Sequence, residues 1–107
     1  MPEVDITSKD AELREVLSWL RDRLGPTFLV IDYWDGDLCA IGVAATHDPK
    51  QLVYISSWKQ PSGRYFVELE TAPVPGSEMP YTSVSKFDTV DREELARIVV
   101  QHLTPTP

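Results

Sequence analysis

Residues 27–45 read TFLVIDYWDGDLCAIGVAA, and this stretch decides the fold. Its first part, 27–34, is rich in the β-branched and aromatic residues that favour strands. Asp35 and Gly36 follow, and this pair is typical of a type I′ hairpin turn, in which both central positions need a positive φ. Residues 37–45 are therefore predicted to return as a second, antiparallel strand.

The next segments extend this hairpin into a larger sheet. Residues 51–58 and 64–70 have strand composition and are separated by short turns rich in proline, glycine and aspartate. Strands joined by short turns must be antiparallel, because a parallel pair needs a long crossover. Residues 71–80 contain three prolines and a glycine and are predicted to form a connecting loop. Residues 81–87 are predicted to be a short edge strand.

A helix is predicted to precede the sheet, over residues 8–24. Its apolar residues recur at steps of three and four and form one stripe, made of Leu13, Val16, Leu17, Leu20 and Leu24. Thr7 or Ser8 is expected to cap its start. Trp19 lies off the stripe, and we expect Arg23, four residues later, to stack over its ring.

A second helix is predicted over residues 91–103, since Asp91 and Glu94 have the spacing of a capping box. Its stripe consists of Leu95, Ile98, Val99 and His102. Residues 104–107 are predicted to be a tail. We therefore expect residues 1–107 to form a single α+β domain, a four- to five-stranded antiparallel meander with an N-terminal and a C-terminal helix packed against it.

Both faces of the first hairpin are mainly apolar. In an antiparallel sheet with one solvent-exposed face, apolar and polar residues alternate more regularly along each strand. A two-residue turn would pair Val30 with Ile41 and place small residues on one face. Two explanations remain open for the second apolar face. The helices cover opposite faces, which needs nothing outside this chain, or a second chain buries one face.

Composition limits the classes of partner. The chain has 107 residues and a formal charge of −7, with a pI near 4.6. This sign argues against nucleic acid and anionic membranes as partners, because both require a basic surface. A single cysteine excludes an internal disulfide and a multi-cysteine zinc site. Without a signal-peptide pattern or a long apolar run, the expected location is the cytoplasm.

The polar residues do not form a recognisable catalytic or metal-binding set. Cys39 lies within an apolar strand, where a structural role is the usual one. His47 and the second histidine lack metal-ligand spacing, and the acidic run 32–37 lacks the spacing of an EF-hand loop. Glu68 and Glu70, with Asp32, are conceivable acid–base carboxylates whose relative placement the sequence leaves open. We therefore expect no enzymatic activity, no cofactor and no bound metal.

Aromatic and acidic residues cluster instead around two turns. In a meander, the first and third turns lie at the same end of the sheet, roughly 10–15 Å apart for strands spaced by about 4.8 Å. Tryptophan and tyrosine are enriched among the residues that dominate binding energy. The predicted partner-binding residues are Tyr33, Trp34, Asp35, Asp37, Trp58 and Tyr65.

These features favour a protein that works by binding another protein. Small size, acidity and an α+β layout are typical of immunity-type and antitoxin-type inhibitors, which occlude a toxin that is often basic. The alternative is a secretion-chaperone-like or adaptor homodimer that binds an extended protein segment. A monomer would favour the first hypothesis, and a dimer that buries one sheet face would favour the second. An enzyme or small-ligand binder would need a deep pocket.

The absence of a metal-ligand pattern yields a first prediction. The thermal unfolding midpoint should be the same with and without a chelator such as EDTA, because no closed set of ligands is available to couple metal binding to folding. Differential scanning calorimetry on the purified protein measures this directly. A midpoint lowered by several degrees in EDTA would assign a metal to the acidic run 32–37.

Overall fold

The computed structural model describes residues 9–25, 28–31, 38–48, 50–78 and 81–104. Its elements are α1 (Ala11–Leu24), β1 (Phe28–Ile31), β2 (Ala40–Ala45), β3 (Leu52–Ser56), β4 (Arg64–Thr71), β5 (Thr82–Asp91) and α2 (Arg92–Leu103). The strands form one antiparallel sheet in the order β1-β2-β3-β4-β5. The predicted α+β class, an antiparallel meander with a helix from each end of the chain packed against it, is confirmed.

Both helices pack on the same face of the sheet. The core combines residues of both helices with alternate residues of the strands, and its buried members include Leu13, Val16, Leu17, Leu20, Ile41, Val43, Val53, Ile55, Val67, Leu95, Val99 and Leu103. The helices also meet each other, since Arg23 Nη2 lies 3.0 Å from Glu93 Oε2. The expectation that they cover opposite faces is therefore wrong.

The reason lies in the polarity of the side chains on the two faces. The helix-facing residues of β2, β3 and β4 include Ile41, Val43, Val53, Ile55 and Val67, whereas the opposite face carries Glu68 and Glu70 among its apolar residues. A helix over the first of these faces buries apolar area, which stabilises the folded state by about 25 cal/mol per Å², without covering carboxylates. Both helices therefore gain most on the same side.

The opposite side of the sheet, here called the second face, is partly buried. By strand alternation it carries Ala40, Ala44, Leu52, Tyr54, Phe66, Glu68 and Glu70. Leu52 is 3% exposed and Glu70 is 6% exposed. The rings of Tyr54 and Phe66 meet edge to face with their centroids 6.2 Å apart. The second face of the first hairpin, predicted to be apolar, is thus buried at Ala40 and Ala44 and half-buried at Leu29 and Ile31.

The register of the first hairpin differs from the predicted one. Val30 lies opposite Val43, two residues further along β2 than the predicted Ile41. A two-residue turn cannot produce this register without an irregularity in a flanking strand, and Asp35 and Gly36 lie outside the described residues. Because side chains alternate with a period of two, a shift of two residues leaves every side chain on its predicted face.

The last strand is longer than predicted. β5 covers Thr82–Asp91, whereas the sequence indicated a short edge strand over 81–87. Its pairing with β4 shifts at two irregularities, and Thr89 adopts a positive φ of 50°. Irregular pairing bends an edge strand, and a charged residue such as the exposed Lys86 further opposes pairing with another sheet.

Aspartates cap both helices. α1 begins at Ala11, three residues later than predicted, and Asp10 caps it by accepting a 3.4 Å hydrogen bond from the backbone N–H of Glu12. The two residues expected to cap α1 lie outside the described residues. At α2, Asp91 accepts a 2.9 Å bond from the N–H of Glu94, as the capping-box spacing predicted.

The packing of α2 yields a test with a matched pair of neighbouring valines. Val99 is 2% exposed, whereas Val100 is 48% exposed. Val99→Ala should lower the free energy of unfolding by about 2 kcal/mol, because it removes buried methyl groups and leaves a cavity. Val100→Ala should change it by less than about 0.5 kcal/mol. Urea denaturation of both variants measures the difference, and equal losses would contradict this placement of α2.

Candidate partner-binding surface

The predicted partner-binding residues fall into two groups. Tyr33, Trp34, Asp35 and Asp37 lie outside the described residues. Trp58 and Tyr65 are described: Trp58 lies in the connection between β3 and β4, and Tyr65 is the second residue of β4.

Trp58 is exposed at the end of β3. Its relative exposure is 62%, so the indole does not cap the hydrophobic core. The ammonium group of Lys59 lies 4.5 Å from the centroid of the indole ring. The backbone N–H of Trp58 donates a 3.2 Å hydrogen bond to Ser56 Oγ. A large aromatic surface is therefore held at the end of the sheet and stays accessible to a partner.

Leu38 extends this exposed surface. The N–H of Ser57 donates a 2.9 Å hydrogen bond to the carbonyl of Cys39, which continues the pairing of β2 and β3 beyond the strands. Leu38, which precedes Cys39, is 50% exposed and therefore lies at the same end of the sheet as Trp58. Leu38 and Trp58, together with Lys59, are called here the Trp58 surface. Sequence analysis missed Leu38, because it resembles any other strand residue until its exposure is known.

Tyr65 lies on the other side of the sheet. It is 5% exposed and belongs to the helix-side core, where it pairs with Val90 of β5. The structure therefore does not bring Tyr65 and Trp58 together on one surface. Trp58 is exposed and does not line the groove on the helix side of the β3–β4 connection, whereas Tyr65 does.

The start of α1 anchors this end of the sheet. Ser57 Oγ donates to the Asp10 carboxylate, and the Asp10 N–H donates to the carbonyl of Leu38 at 2.8 Å. The Glu12 carboxylate accepts a 2.7 Å hydrogen bond from Ser62 Oγ and a 2.9 Å hydrogen bond from the Gly63 N–H. Acidic residues at a helix start suit the positive end of its dipole. The same acids thus order the connection that carries Trp58.

The groove on the helix side has a volume of about 470 Å³. It lies between α1, the β3–β4 connection and the start of α2, and its lining includes four carboxylates and two guanidinium groups beside Trp19 and Tyr65. The guanidinium carbons of Arg23 and Arg92 lie 5.5 and 5.0 Å from the Trp19 ring centroid. The predicted stacking of Arg23 on Trp19 is thereby confirmed, and Arg92 adds a second contact.

The groove is electrostatically negative around Tyr65. Burial raises the pKa of the Tyr65 hydroxyl, and the nearby Glu12 and Glu15 carboxylates raise it further, against an opposing effect of Arg92. The hydroxyl therefore remains protonated throughout the physiological range.

A different group of titratable residues lies on the second face. Burial, followed by repulsion from Glu68, raises the pKa of Glu70 from 4.5 to about 7. Burial and the same two carboxylates raise the pKa of Tyr81. Glu68 and Glu70 are two residues apart on β4, so they project from the same face and repel each other. A carboxyl that titrates near neutrality makes this face sensitive to pH.

The histidines and the cysteine occupy structural or exposed positions. His102 Nε2 lies 2.9 Å from the Glu70 carbonyl, to which it can only donate, and Gln51 Nε2 donates to the His102 carbonyl at 3.1 Å. His102 thus links α2 to the sheet. Cys39 is half-buried, and His47 is exposed.

Comparison with models of known protein families, with curated protein sequences and with solved structures gives no match for this chain. Within the described ranges, no three His, Cys, Asp or Glu side chains group in a way that would hold a metal ion. No helix in that part of the chain is long and apolar enough to cross a membrane. Any statement about function therefore rests on the surfaces described above.

The raised pKa of Glu70 yields a prediction about stability. A carboxyl with a higher pKa in the folded state binds its proton more tightly there, so stability is lost as the pH rises from 4.5 to about 7. The wild type should lose stability over this range relative to Glu70→Gln, which carries no titrating group. Urea denaturation at pH 5, 6, 7 and 8 measures the two curves.

Glu78→Gln serves as the control, because it removes an exposed carboxylate from the connection between β4 and β5. Its stability should follow that of the wild type across the same pH range. Parallel curves for the wild type and Glu70→Gln would show that Glu70 ionises normally in the folded protein.

Proposed function

We propose that this chain is a non-enzymatic protein-binding domain, and specifically an inhibitor of immunity or antitoxin type that occludes a basic toxin. The observation that carries the proposal is the exposure of two large apolar side chains, Trp58 at 62% and Leu38 at 50%, at one end of the sheet. Tryptophans that lose their solvent on binding are among the strongest contributors to protein–protein affinity. The Trp58 surface is the anchor of the proposed contact.

The charge around this anchor supports a basic partner. Asp10 and Glu12 lie next to the β3–β4 connection, and Asp88 accepts a 2.9 Å hydrogen bond from Gln60 Nε2 on its other side. The whole chain carries a formal charge of −7. Acidic groups around an aromatic anchor accelerate association with a basic protein, and the effect weakens as salt rises.

The proposed mechanism is occlusion. The acidic groups pair with the basic groove in which the toxin binds its own substrate, while Trp58 and Leu38 bury against an apolar part of the toxin. No bond is made or broken. Inhibition follows from the competition between this acidic surface and the substrate for the same basic side chains.

A second candidate is a secretion-chaperone-like or adaptor homodimer. It is favoured by the position of both helices on one face, which leaves Leu29, Ile31 and Tyr54 half-buried on the second face, where a partner copy would complete their burial. Sedimentation equilibrium separates the candidates. A monomer at micromolar concentration supports the inhibitor, and a dimer lost on Tyr54→Glu supports the adaptor.

The test of the proposed function compares two equally exposed apolar side chains. Val74 is 59% exposed and lies in the connection between β4 and β5, at the opposite end of β4 from Trp58. The partner is first isolated by its affinity for the wild-type chain. Trp58→Ala should then weaken the affinity for that partner about 30-fold, which corresponds to the ~2 kcal/mol typical of an anchor residue. Val74→Ala should leave the affinity within about twofold of the wild type.

Stability is measured on the same variants. Trp58→Ala should lower the free energy of unfolding by less than about 1 kcal/mol, since it removes an exposed ring and one cation–π contact. Isothermal titration calorimetry and thermal unfolding together separate loss of contact from loss of fold. Full affinity for Trp58→Ala, or equal losses for Trp58→Ala and Val74→Ala, would refute the assignment of this surface.

A further inference from the structure

Most of the charges that line the groove between α1, the β3–β4 connection and α2 already have partners. Glu12 accepts hydrogen bonds from Ser62 and Gly63, and Glu93 forms an ion pair with Arg23 at 3.0 Å. Asp91 caps α2, and its second oxygen lies 3.6 Å from Arg64 Nη1. These interactions fix the walls of the groove.

Two polar groups in the groove remain available. Glu15 lines it, and no described residue forms a hydrogen bond or ion pair with the Glu15 carboxylate. Tyr65 also lines it and is 5% exposed, yet no described residue accepts from or donates to its hydroxyl. The Tyr65 ring is buried while its hydroxyl is not among the enclosed polar atoms of the described residues, so the hydroxyl reaches the groove and can exchange a hydrogen bond to water for one to a ligand.

We propose that this groove binds an arginine side chain of the partner protein, with the guanidinium donating to the Glu15 carboxylate and to the Tyr65 hydroxyl oxygen. The proposal rests on the proposed function, because it takes the arginine to belong to a bound protein. Four carboxylates against two guanidinium groups make the lining negative. The volume of about 470 Å³ lies within the range of small-ligand sites and has room for a guanidinium group.

Arginine fits this groove better than lysine does. A guanidinium is planar and carries five donors in a fixed fork, so it can reach a carboxylate and a hydroxyl at the same time. It also packs against aromatic rings, as Arg23 and Arg92 already do on Trp19 within 5.5 Å of its centroid. A lysine ammonium is more strongly hydrated and lacks the planar fork.

The groove lies next to the Trp58 surface without sharing its residues. Trp58 lies near the start of the β3–β4 connection and is exposed, whereas Ser62 and Gly63 near its end form one wall of the groove. A partner that covers Trp58 would therefore reach the groove by extending one long side chain around the connection.

The test uses a peptide and does not require the natural partner. Acetyl-Gly-Arg-Gly-amide is titrated into the ¹⁵N-labelled chain, and shifts of the Gly63 amide and of the Trp19 indole N–H are followed. The matched peptides carry citrulline, which is nearly isosteric and neutral, or lysine. We expect saturable shifts with arginine, affinity at least about tenfold weaker with citrulline, and about threefold weaker with lysine.

Two variants address the two recognition groups. Glu15→Gln and Tyr65→Phe should each weaken binding of the arginine peptide about fivefold, while the exposed control Glu78→Gln should stay within about twofold of the wild type. Glu15 is exposed, so its replacement leaves the core intact even if Tyr65→Phe lowers stability. The dispersion of the amide spectrum reports the fold of each variant in the same experiment.

Equal binding of the citrulline peptide, or unchanged affinity in Glu15→Gln, would overturn the arginine assignment. Tighter binding of free L-arginine than of the peptide would also overturn it, because the ligand would then be a free amino acid. These outcomes are independent of Trp58→Ala, which tests the proposed function on the natural partner. If the arginine peptide does not bind but Trp58→Ala still weakens binding of the natural partner, the groove is not part of the interface. The assignment of the Trp58 surface would then still stand.

Discussion

The anchoring of α1 to the end of the sheet by two acidic side chains is the constraint on which this molecule's candidate surfaces depend. Asp10 accepts a hydrogen bond from Ser57, and Glu12 accepts hydrogen bonds from Ser62 and Gly63. These bonds fix the β3–β4 connection against the helix, with Trp58 held outside and the groove closed on the inside. Since each carboxylate also lies at the positive end of the α1 dipole, the same charges stabilise the helix and position the proposed contact.

The fold was largely predictable because its signals are local. The apolar stripe of α1, the capping of α2 by Asp91 and the stacking of Arg23 on Trp19 all involve residues within four positions of one another. The placement of the helices was not predictable in this way. Both faces of the first hairpin are apolar, and only the packed structure distinguishes the face with large residues from the one with Ala40 and Ala44. The predicted register of the first hairpin was wrong because it was extrapolated from an ideal two-residue turn.

The candidate site was predictable only in part. Trp58 was identified from its residue type and from the meander topology, and its exposure agrees with a role in binding. Tyr65 was grouped with it because the two residues flank one connection, but the groove that Tyr65 lines is built by elements distant in sequence. Likewise, the pKa of Glu70 depends on burial, and no pattern in the sequence reports how deeply one carboxyl on a strand is buried.

The contacts that attach α1 also determine when this end of the protein forms. The bonds from Asp10 to Ser57 and from Glu12 to Gly63 span 47 and 51 residues, whereas each pair of neighbouring strands is joined by a short connection. Closing a long loop costs more entropy than closing a short one, so the hairpins precede the docking of α1. The walls of the groove thus come together only after the hairpins have formed, and an occupant that bridges α1 and the β3–β4 connection would stabilise the folded state by binding to it alone.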